Sequence, residues 1–309
     1  DEIFRRIARD VGNRQGNRIL VVPELISHEA ERNLCQAAGD TASRYAEVLS
    51  FTRLFRRVSD TMGMGAVECL DSGGRLVAMA AAARQLSSQL KAYAAVETKP
   101  EFLTGLIDAV DEFKRCCITP ADLMGASRQT EGSLAQKLEE LALLMEGYDG
   151  LCARGKRDPR DQMTWLLEQL EEGTFAQEHV FYIDGFPDFT RQNLAILEFL
   201  MENSKDVTIS LNCDQVGSRL LAFEKAGETA KRLYNAAKRA GVPISVEVIA
   251  PRQDALHPVR ERLFQGSIPE GEAQGAVEVV HRTSAYAECL LAAHRVRELA
   301  AKGARYRDI

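Results

Sequence analysis

The stretch that decides the fold is His179–Thr190, which reads HVFYIDGFPDFT. It contains a short, continuous apolar run, Val180–Ile183, of the kind expected for a strand buried on both faces in a parallel sheet. The run ends at Asp184 and Gly185, and glycine permits an abrupt change of backbone direction. Apolar residues at helical spacing follow, so the stretch predicts a buried strand, a turn and a helix.

An acid at the carboxyl end of a buried strand has two interpretations here. In α/β nucleotide-binding proteins, a strand, an acid and a helix in this order place a magnesium-linked aspartate. Asp184 would occupy that position. The alternative is a simple strand stop, because Asp and Gly both favour turns. The motif is a few residues long, so this stretch alone leaves both interpretations open.

The same alternation of strand and helix is predicted on both sides of this stretch. The predicted elements before it are helix Asp1–Val11, strand Arg18–Val22, helix Ser27–Ala38 with Ser27 as N-cap, strand Glu47–Phe51 and helix Thr52–Val58. Those after it are strand Val207–Leu211, helix Glu224–Ala240 and strand Pro243–Ile249. Units this short imply a doubly wound α/β fold with a parallel sheet.

The strand pattern stops between residues 73 and 173. Apolar residues there recur every three to four positions, which is typical of helices. The predicted helical segments are Leu76–Tyr93, Pro100–Cys117, Leu134–Tyr148 and Asp161–Glu171. We therefore expect a helical subdomain inserted into the α/β sheet.

The carboxyl-terminal part predicts the start of another α/β unit. Ser267–Gly275 is rich in Gly, Glu and Pro and is typical of a linker. A strand at Ala276–His281 and a helix at Tyr286–Ala301 are predicted after it. Because the chain begins inside a helix and ends as a new segment starts, we expect it to be a piece of a longer protein.

Composition narrows the class of protein. The 309 residues are 45% hydrophobic and 27% charged, which is typical of a soluble globular protein with room for two domains. No apolar run approaches the length of a membrane span, and no signal peptide opens the chain. The formal net charge of -6 excludes a generic basic nucleic-acid binder, so any DNA contact has to come from local patches.

Cysteine and histidine residues give no sign of a metal site or a catalytic group. The seven cysteines are scattered and show no CxxC or His-paired spacing, as expected of reduced thiols in a cytoplasmic protein. The five histidines are dispersed and no nucleophile motif brackets them. The sequence therefore predicts no metal ligand and no catalytic residue.

Four stretches together resemble one family. They are Leu20–Leu34 (LVVPELISHEAERNL), Glu47–Arg57 (EVLSFTRLFRR), Tyr182–Thr190 (YIDGFPDFT) and Glu278–Arg297, the last followed by RYRDI. In order and spacing they are similar to the amino-terminal, helicase-like half of the B subunit of ATP-dependent helicase/deoxyribonuclease, the AddB or RexB family. The resemblance covers nearly the whole chain, and it makes the third stretch a version of the Walker B strand.

The resemblance implies a RecA-like, superfamily 1 helicase fold of the P-loop NTPase type. Residues 1–72 and 174–266 would form helicase domain 1A, residues 73–173 a helical insertion like domain 1B, and residues 267–309 a linker and the start of domain 2A. The first strand and the phosphate loop of domain 1A would be missing. No G-x-x-x-x-G-K-[ST] occurs in the chain.

Gly185 is the second departure from an active helicase. In active members of the superfamily the Walker B aspartate is followed by a glutamate that orients the attacking water. Here Gly185 follows Asp184 and has no side chain. Asp184 and Gly185 are therefore predicted to be a vestigial nucleotide and magnesium site, and no cofactor is expected in this part of the protein.

Local patches give the candidate DNA contacts. By resemblance, Ser27, His28 and Arg32 lie near the DNA path, with His28 and Arg32 on one helix face. Ser50, Phe51 and Arg53 sit at a strand's carboxyl end, where α/β folds bind ligands. The densest basic cluster is Arg154, Lys156, Arg157 and Arg160, in a polar loop of the insertion. The alternative for each patch is an ordinary solvated surface.

The resemblance further implies a role in recombinational DNA repair. The intact B subunit would form a heterodimer with an ATP-hydrolysing A subunit, and the pair would act as helicase and exonuclease on double-strand breaks. ATP and magnesium are possible ligands of the full-length protein, and an iron–sulfur cluster is expected in a nuclease domain beyond this chain. Two alternatives stay open: an active ATP-dependent DNA motor, and an unrelated α/β interaction module.

Overall fold

A parallel sheet forms the centre of the computed structural model, which describes residues 2–65, 67–94, 99–218, 220–249, 256 and 277–309. The described strands are β1 (Arg18–Val21), β2 (Ala46–Leu49), β3 (Val180–Ile183) and β4 (Asp206–Ile209). They pair in the order β2-β1-β3-β4, and every pairing is parallel. The predicted α/β class with a parallel sheet is therefore confirmed.

The chain divides into two compact units, Asp1–Arg219 with Phe223–Val246, and Leu220–Ala222 with Glu247–Ile309. The described α-helices of the first unit are α1 (Glu2–Gly12), α2 (Ser27–Ala38), α3 (Phe51–Thr61), α4 (Ser72–Gln85), α5 (Pro100–Arg115), α6 (Pro120–Ser127), α7 (Gly132–Ala153), α8 (Gln162–Glu172), α9 (Phe175–Glu178), α10 (Arg191–Asn203) and α11 (Glu224–Arg239). The second unit contains α12 (Ala285–Ala301), whose residues are exposed or half-buried.

Helices cover both faces of the sheet, which explains why its strands are continuous apolar runs. On β1, Ile19 and Val21 face one side and pack in a cluster with α3, α8 and α10, here called the sheet core. Leu20 and Val22 face the other side and pack against α1 and α2. Successive strand residues point to opposite faces, so β1, β2 and β3 each contribute to both layers.

Residues 72–153, here called the helical lobe, have an apolar core of their own. Met79, Leu106, Met145 and Tyr148 are among its buried members, and none of its described residues belongs to the sheet core. Between residues 76 and 171 the described part of the chain contains no strand, as the sequence predicted. An isolated bridge pairs Cys69 with Arg157 where the chain enters and leaves the lobe.

The predicted element ends at Phe51 and Tyr93 are among those that are wrong. Phe51 was predicted to end a strand, but it begins α3 because the Ser50 side chain caps the helix and accepts a hydrogen bond from the Arg53 amide at 3.2 Å. The helix predicted over Leu76–Tyr93 ends at Gln85. The Glu140 carboxylate explains the early end, because it accepts hydrogen bonds at 2.9 to 3.0 Å from the backbone amides of Lys91, Ala92 and Tyr93.

Two predicted strands are also wrong where the structure describes them. Residues 243–249 form no strand, and residues 277–281 of the predicted strand Ala276–His281 form none either. Val248 is 68% exposed and Val279 is 92% exposed, so these β-branched runs have no sheet neighbour to pair with. The predicted linker Ser267–Gly275 and Ala276 lie outside the described residues.

The helices were compared with the length and apolar character that a membrane span requires. None of those described is long and apolar enough to cross a bilayer.

His179 generates a prediction about pH. Its ring stacks on Phe175 with 4.1 Å between ring centroids, at the start of β3. Burial lowers the pKa of His179, so the unfolded chain, with a pKa of about 6.5, takes up a proton more readily. Stability from the neutral ring is therefore present above the unfolded pKa and lost as pH falls.

We expect the free energy of unfolding to fall between pH 7 and pH 5. In His179→Phe, which keeps an aromatic ring against Phe175, the free energy of unfolding should fall less steeply over the same range. Urea unfolding at several pH values measures both slopes. Equal slopes in the parent and His179→Phe would contradict this account.

Candidate functional site at the carboxyl edge of the sheet

The carboxyl ends of the strands form a single edge. Backbone hydrogen bonds extend the ladder one residue past each strand, from Val22 to the Leu49 carbonyl at 2.9 Å and from Asp184 to the Val21 carbonyl at 3.0 Å. A third bond runs from the Ser210 amide to the Ile183 carbonyl at 2.9 Å. Asp184 and Ser210 are therefore held side by side at the edge where parallel α/β sheets bind ligands.

Asp184 is engaged by a partner that the sequence analysis missed. The Ser210 hydroxyl donates a hydrogen bond to the Asp184 carboxylate. Ser210 was placed inside a strand predicted over Val207–Leu211, whereas β4 ends at Ile209. The signal that would have found it is a hydroxyl immediately after an apolar run, the position that Asp184 holds on β3.

This pair alone does not make a metal site. Magnesium prefers several oxygen ligands in near-octahedral geometry, and this pair supplies one carboxylate and one hydroxyl that bind each other. No group of three or more His, Cys, Asp or Glu side chains in the described part of the chain is arranged to hold a metal ion.

Gly185 fixes the backbone turn after the acid. Its φ of +78° lies in the left-handed region that favours glycine. A Cβ there would lie 2.6 Å from Ile26 Cδ1 and 3.4 Å from Pro23 Cδ, both in the segment after β1. The next residue, Phe186, packs against Phe51 with 5.5 Å between ring centroids. The position that follows Asp184 is therefore a tightly packed turn with no room for a longer side chain.

A polar face of α2 lies at the same edge. Glu31 joins two of the predicted DNA contacts, because its carboxylate lies 3.5 Å from His28 Nδ1 and 3.0 Å from Arg53 Nη1. His28 and Arg32 are exposed, one helical turn apart. Leu25, in the turn before α2, is 99% exposed, and the sequence analysis missed it because a single apolar residue carries no pattern. Together Leu25, His28, Arg32 and Arg53 form what we call the edge surface.

The two predicted serine contacts lie inside the fold. Ser27 is 3% exposed, and its hydroxyl donates to the Glu24 carbonyl at 2.9 Å. It is the first residue of α2 and not its N-cap, a position that Ile26 occupies. Ser50 is 4% exposed and caps α3. Contact of either serine with DNA stays a prediction, and the structure gives both hydroxyls an internal partner.

The side chains of the predicted basic cluster, at residues 154–160, have different partners. Lys156 Nζ lies 3.4 Å from a Glu68 carboxylate oxygen, and both side chains are exposed. The Arg157 guanidinium lies over the Trp165 ring, 4.9 Å from its centroid. Arg160 Nε lies 2.7 Å from Asp111 Oδ2. Arg154 is exposed. Arg157 and Arg160 therefore stabilise the loop itself, and Arg154 and Lys156 face solvent.

Gly185 generates a prediction about stability. We expect Gly185→Ala to lower the free energy of unfolding by about 1 to 2 kcal/mol, since an L-residue is strained at positive φ. Adding Ile26→Val removes the crowding methyl group but not the strain, so recovery should be incomplete. Chemical denaturation measures each change.

The matched control is Gly105, in the middle of α5, where a Cβ would meet nothing within 4 Å. Gly105→Ala should stabilise the chain by about 0.5 to 1 kcal/mol, because alanine is a better helix former. A Gly185→Ala variant as stable as the parent would show that the turn tolerates a side chain.

Comparison with known proteins gives this architecture a family. A family model described as ADDB, N-terminal matches residues 1–260. The chain is 33% identical over 242 residues to the B subunit of ATP-dependent helicase/deoxyribonuclease from Moorella thermoacetica, covering 74% of this chain and 21% of that protein. It is 31% identical over 218 residues to the protein of the same name from Clostridium kluyveri, covering 70% of this chain and 19% of that protein.

The chain thus spans about a fifth of the length of these curated relatives. The family match covers most of the chain, including the four strands and the edge residues Asp184, Gly185 and Ser210. The predicted resemblance is confirmed: the chain belongs to the ADDB N-terminal family.

Proposed function

We propose that this chain is a non-catalytic, helicase-like scaffold that guides a DNA strand across the carboxyl edge of its sheet. One observation carries the proposal. The edge keeps an acid, Asp184, but bonds it to Ser210, and follows it with Gly185 in a packed turn that has no water-activating side chain. An edge built this way can position a ligand but lacks the groups that phosphoryl transfer requires.

A RecA-like, superfamily 1 helicase fold is part of the proposal. In it, residues 1–72 and 174–266 correspond to domain 1A, residues 73–173 to a 1B-like insertion, and residues 267–309 to a linker and the start of domain 2A. The parallel strand order and the separate core of the helical lobe support the first two assignments.

The edge surface is the proposed DNA contact. It combines two basic groups, the exposed Arg32 and the half-buried Arg53, with His28 and the apolar side chain of Leu25. Basic groups neutralise phosphates, and an exposed apolar side chain can pack against unstacked bases. Arg154 and Lys156 are proposed as a second DNA contact, since their side chains are exposed.

In the whole protein we propose the role that the relatives' name describes, as the B subunit of an ATP-dependent helicase and deoxyribonuclease. It would pair with an ATP-hydrolysing A subunit in the cytoplasm and resect DNA double-strand breaks for recombinational repair. The scaffold would help to recognise a hotspot sequence on the emerging strand. ATP and magnesium would bind in the full-length protein, and an iron–sulfur cluster would belong to its nuclease domain.

We expect this chain to hydrolyse no ATP, with or without single-stranded DNA. The sequence has no phosphate loop and no glutamate after Asp184, and loss of one such electrostatic contact commonly costs a factor of about 100 to 1,000 in rate. A steady-state phosphate-release assay measures turnover. Turnover that disappears in Asp184→Ala would overturn the scaffold and support the motor alternative.

We expect weak binding of single-stranded DNA that falls with salt. For single strands each phosphate contact contributes about 0.7 to the slope of log affinity against log salt. Arg32→Gln should reduce the magnitude of the slope by about 0.7, the share of one phosphate contact. The double variant Arg154→Gln with Lys156→Gln should reduce the slope only if the loop touches phosphates. Fluorescence anisotropy at several salt concentrations measures the slope.

Arg9→Gln on α1 is the control, because Arg9 is exposed on a different helix. An unchanged slope in Arg32→Gln, equal to that of Arg9→Gln, would remove the edge surface from the DNA path.

A further inference from the structure

The helical lobe and the sheet core are packed separately. Leu166 and Leu170 of α8 belong to the sheet core, whereas the buried residues of α4 to α7 belong to the core of the lobe. Two connections join them, residues 62–71 on the way in and residues 154–161 on the way out. Bodies with separate apolar cores and few connections move relative to each other unless their interface fixes them.

The outgoing connection makes polar contacts with the sheet core and with the lobe. Gln192, in the first turn of α10, donates to the Arg160 carbonyl at 3.4 Å and lies 3.5 Å from the Thr164 hydroxyl. Arg160 itself reaches Asp111 on α5. The outgoing connection therefore lies between the lobe and the helices of the sheet core, in hydrogen-bonding contact with both.

Asp158, in the outgoing connection, is the centre of a buried ionic cluster. Its side chain is 0% exposed. Arg75 Nε of α4 lies 3.2 Å from Asp158 Oδ1, and Lys114 Nζ of α5 lies 3.1 Å from Asp158 Oδ2. The Arg160 amide donates to Asp158 Oδ1 at 3.0 Å. A single carboxylate of the connection thus binds two helices of the lobe.

The remaining members complete the cluster. Lys114 Nζ lies 2.8 Å from Asp149 Oδ1 and 2.7 Å from Asp161 Oδ1. Arg75 pairs with Asp111 and donates to the Tyr148 hydroxyl at 3.1 Å. The cations are Arg75, Lys114 and Arg160, and the carboxylates are Asp111, Asp149, Asp158 and Asp161. Each cation thus contacts at least one carboxylate, and together these pairs link the lobe to the outgoing connection.

Within the cluster, the surroundings of Lys114 and Asp158 favour their charged forms, whereas burial raises the pKa of Asp161. Burial favours the neutral amine of Lys114, but the carboxylates around it outweigh burial and raise its pKa. Burial favours the protonated form of Asp158, but Lys114 and the Arg160 amide hold the pKa of Asp158 below its ordinary value. Buried ion pairs are stable only in good geometry, and removing one partner leaves an uncompensated charge. The cluster therefore favours one arrangement of lobe and connection.

The two connections lie side by side at the joint. The Leu70 amide donates to the Arg157 carbonyl at 2.8 Å, and the Arg157 amide donates to the Glu68 carbonyl at 2.9 Å. Gly65 and Gly155 lie in open space, because a Cβ added at either residue would meet no atom within 4 Å. An open cleft of about 600 Å³ borders the crossing and is lined by Gly65, Val67, Glu68, Gly155, Lys156 and Arg157. The connections are therefore loosely packed at these two glycines.

We propose that the cluster around Asp158 is an ionic latch that holds the helical lobe in one orientation on the sheet core, and that the lobe pivots on the paired connections when the latch opens. This gives Arg160 a role between the lobe and the connection, and the DNA contact predicted from its position in a basic run stays a prediction. The latch does not depend on the proposed function of the carboxyl edge.

The test is the distance between the lobe and the sheet core, measured on the full chain by pulsed electron paramagnetic resonance. The exposed Gln36 of α2 and Lys137 of the lobe are each replaced by an unnatural amino acid with a keto group, which carries the spin label. Labelling the keto group leaves the seven cysteines unmodified. The parent should show one narrow distance distribution. Lys114→Met keeps the side-chain length and removes a cation that touches three carboxylates, so a second population should appear.

Two further variants separate the charge effect from a packing effect. Lys114→Met with Asp149→Asn and Asp161→Asn leaves equal numbers of cations and carboxylates in the cluster and should return the single narrow distribution. Lys225→Met is the matched control, because its exposed pair with Asp188 lies outside both the cluster and the connections, and it should match the parent.

A folded Lys114→Met variant with the parental distribution would overturn the latch. If Lys114→Met does not fold by circular dichroism, Arg160→Gln replaces it, since the Arg160 side chain is 46% exposed and its loss is milder. Arg160→Gln should broaden the distribution, and an unchanged distribution in this variant would overturn the latch equally.

Discussion

The structure depends on the burial of β3 between β1 and β4. This strand has neighbours on both sides and helices on both faces, and its four residues are all buried. Parallel strands buried in this way must satisfy every backbone group within the sheet, which fixes their register. The register in turn sets Asp184 beside the end of β1 and opposite Ser210. The geometry of the carboxyl edge thus follows from the pairing of one strand.

The sequence predicted the elements that local pattern determines. The strands at Arg18, Ala46 and Val180 and the helices of the lobe show clear periodicity, so their existence was predictable. The runs at residues 243–249 and 277–281 have the same β-branched character but remain unpaired in the described structure. Strand propensity is a preference for a packed, pleated surface, and a sequence cannot report whether the neighbouring strand is present.

The candidate site was predictable in part, for a related reason. Asp184 and Gly185 stand out because they interrupt an apolar run. The partner of Asp184 is Ser210, 26 residues away, and only the strand order brings the two together. The basic run of residues 154–160 is continuous in sequence, but its side chains go to Glu68, Trp165 and Asp111. Charge density along a chain therefore does not predict which charges remain available to a ligand.

The central claim is that the edge surface lies on the path of a DNA strand, and site-specific photocrosslinking tests it most directly. A photoreactive phenylalanine analogue replaces Leu25 at the edge or Phe102 in the helical lobe, which are 99% and 54% exposed. After irradiation with a labelled single strand, the account predicts a crosslink from position 25 and little or none from position 102. No crosslink at position 25, or equal yields at both positions, would contradict it.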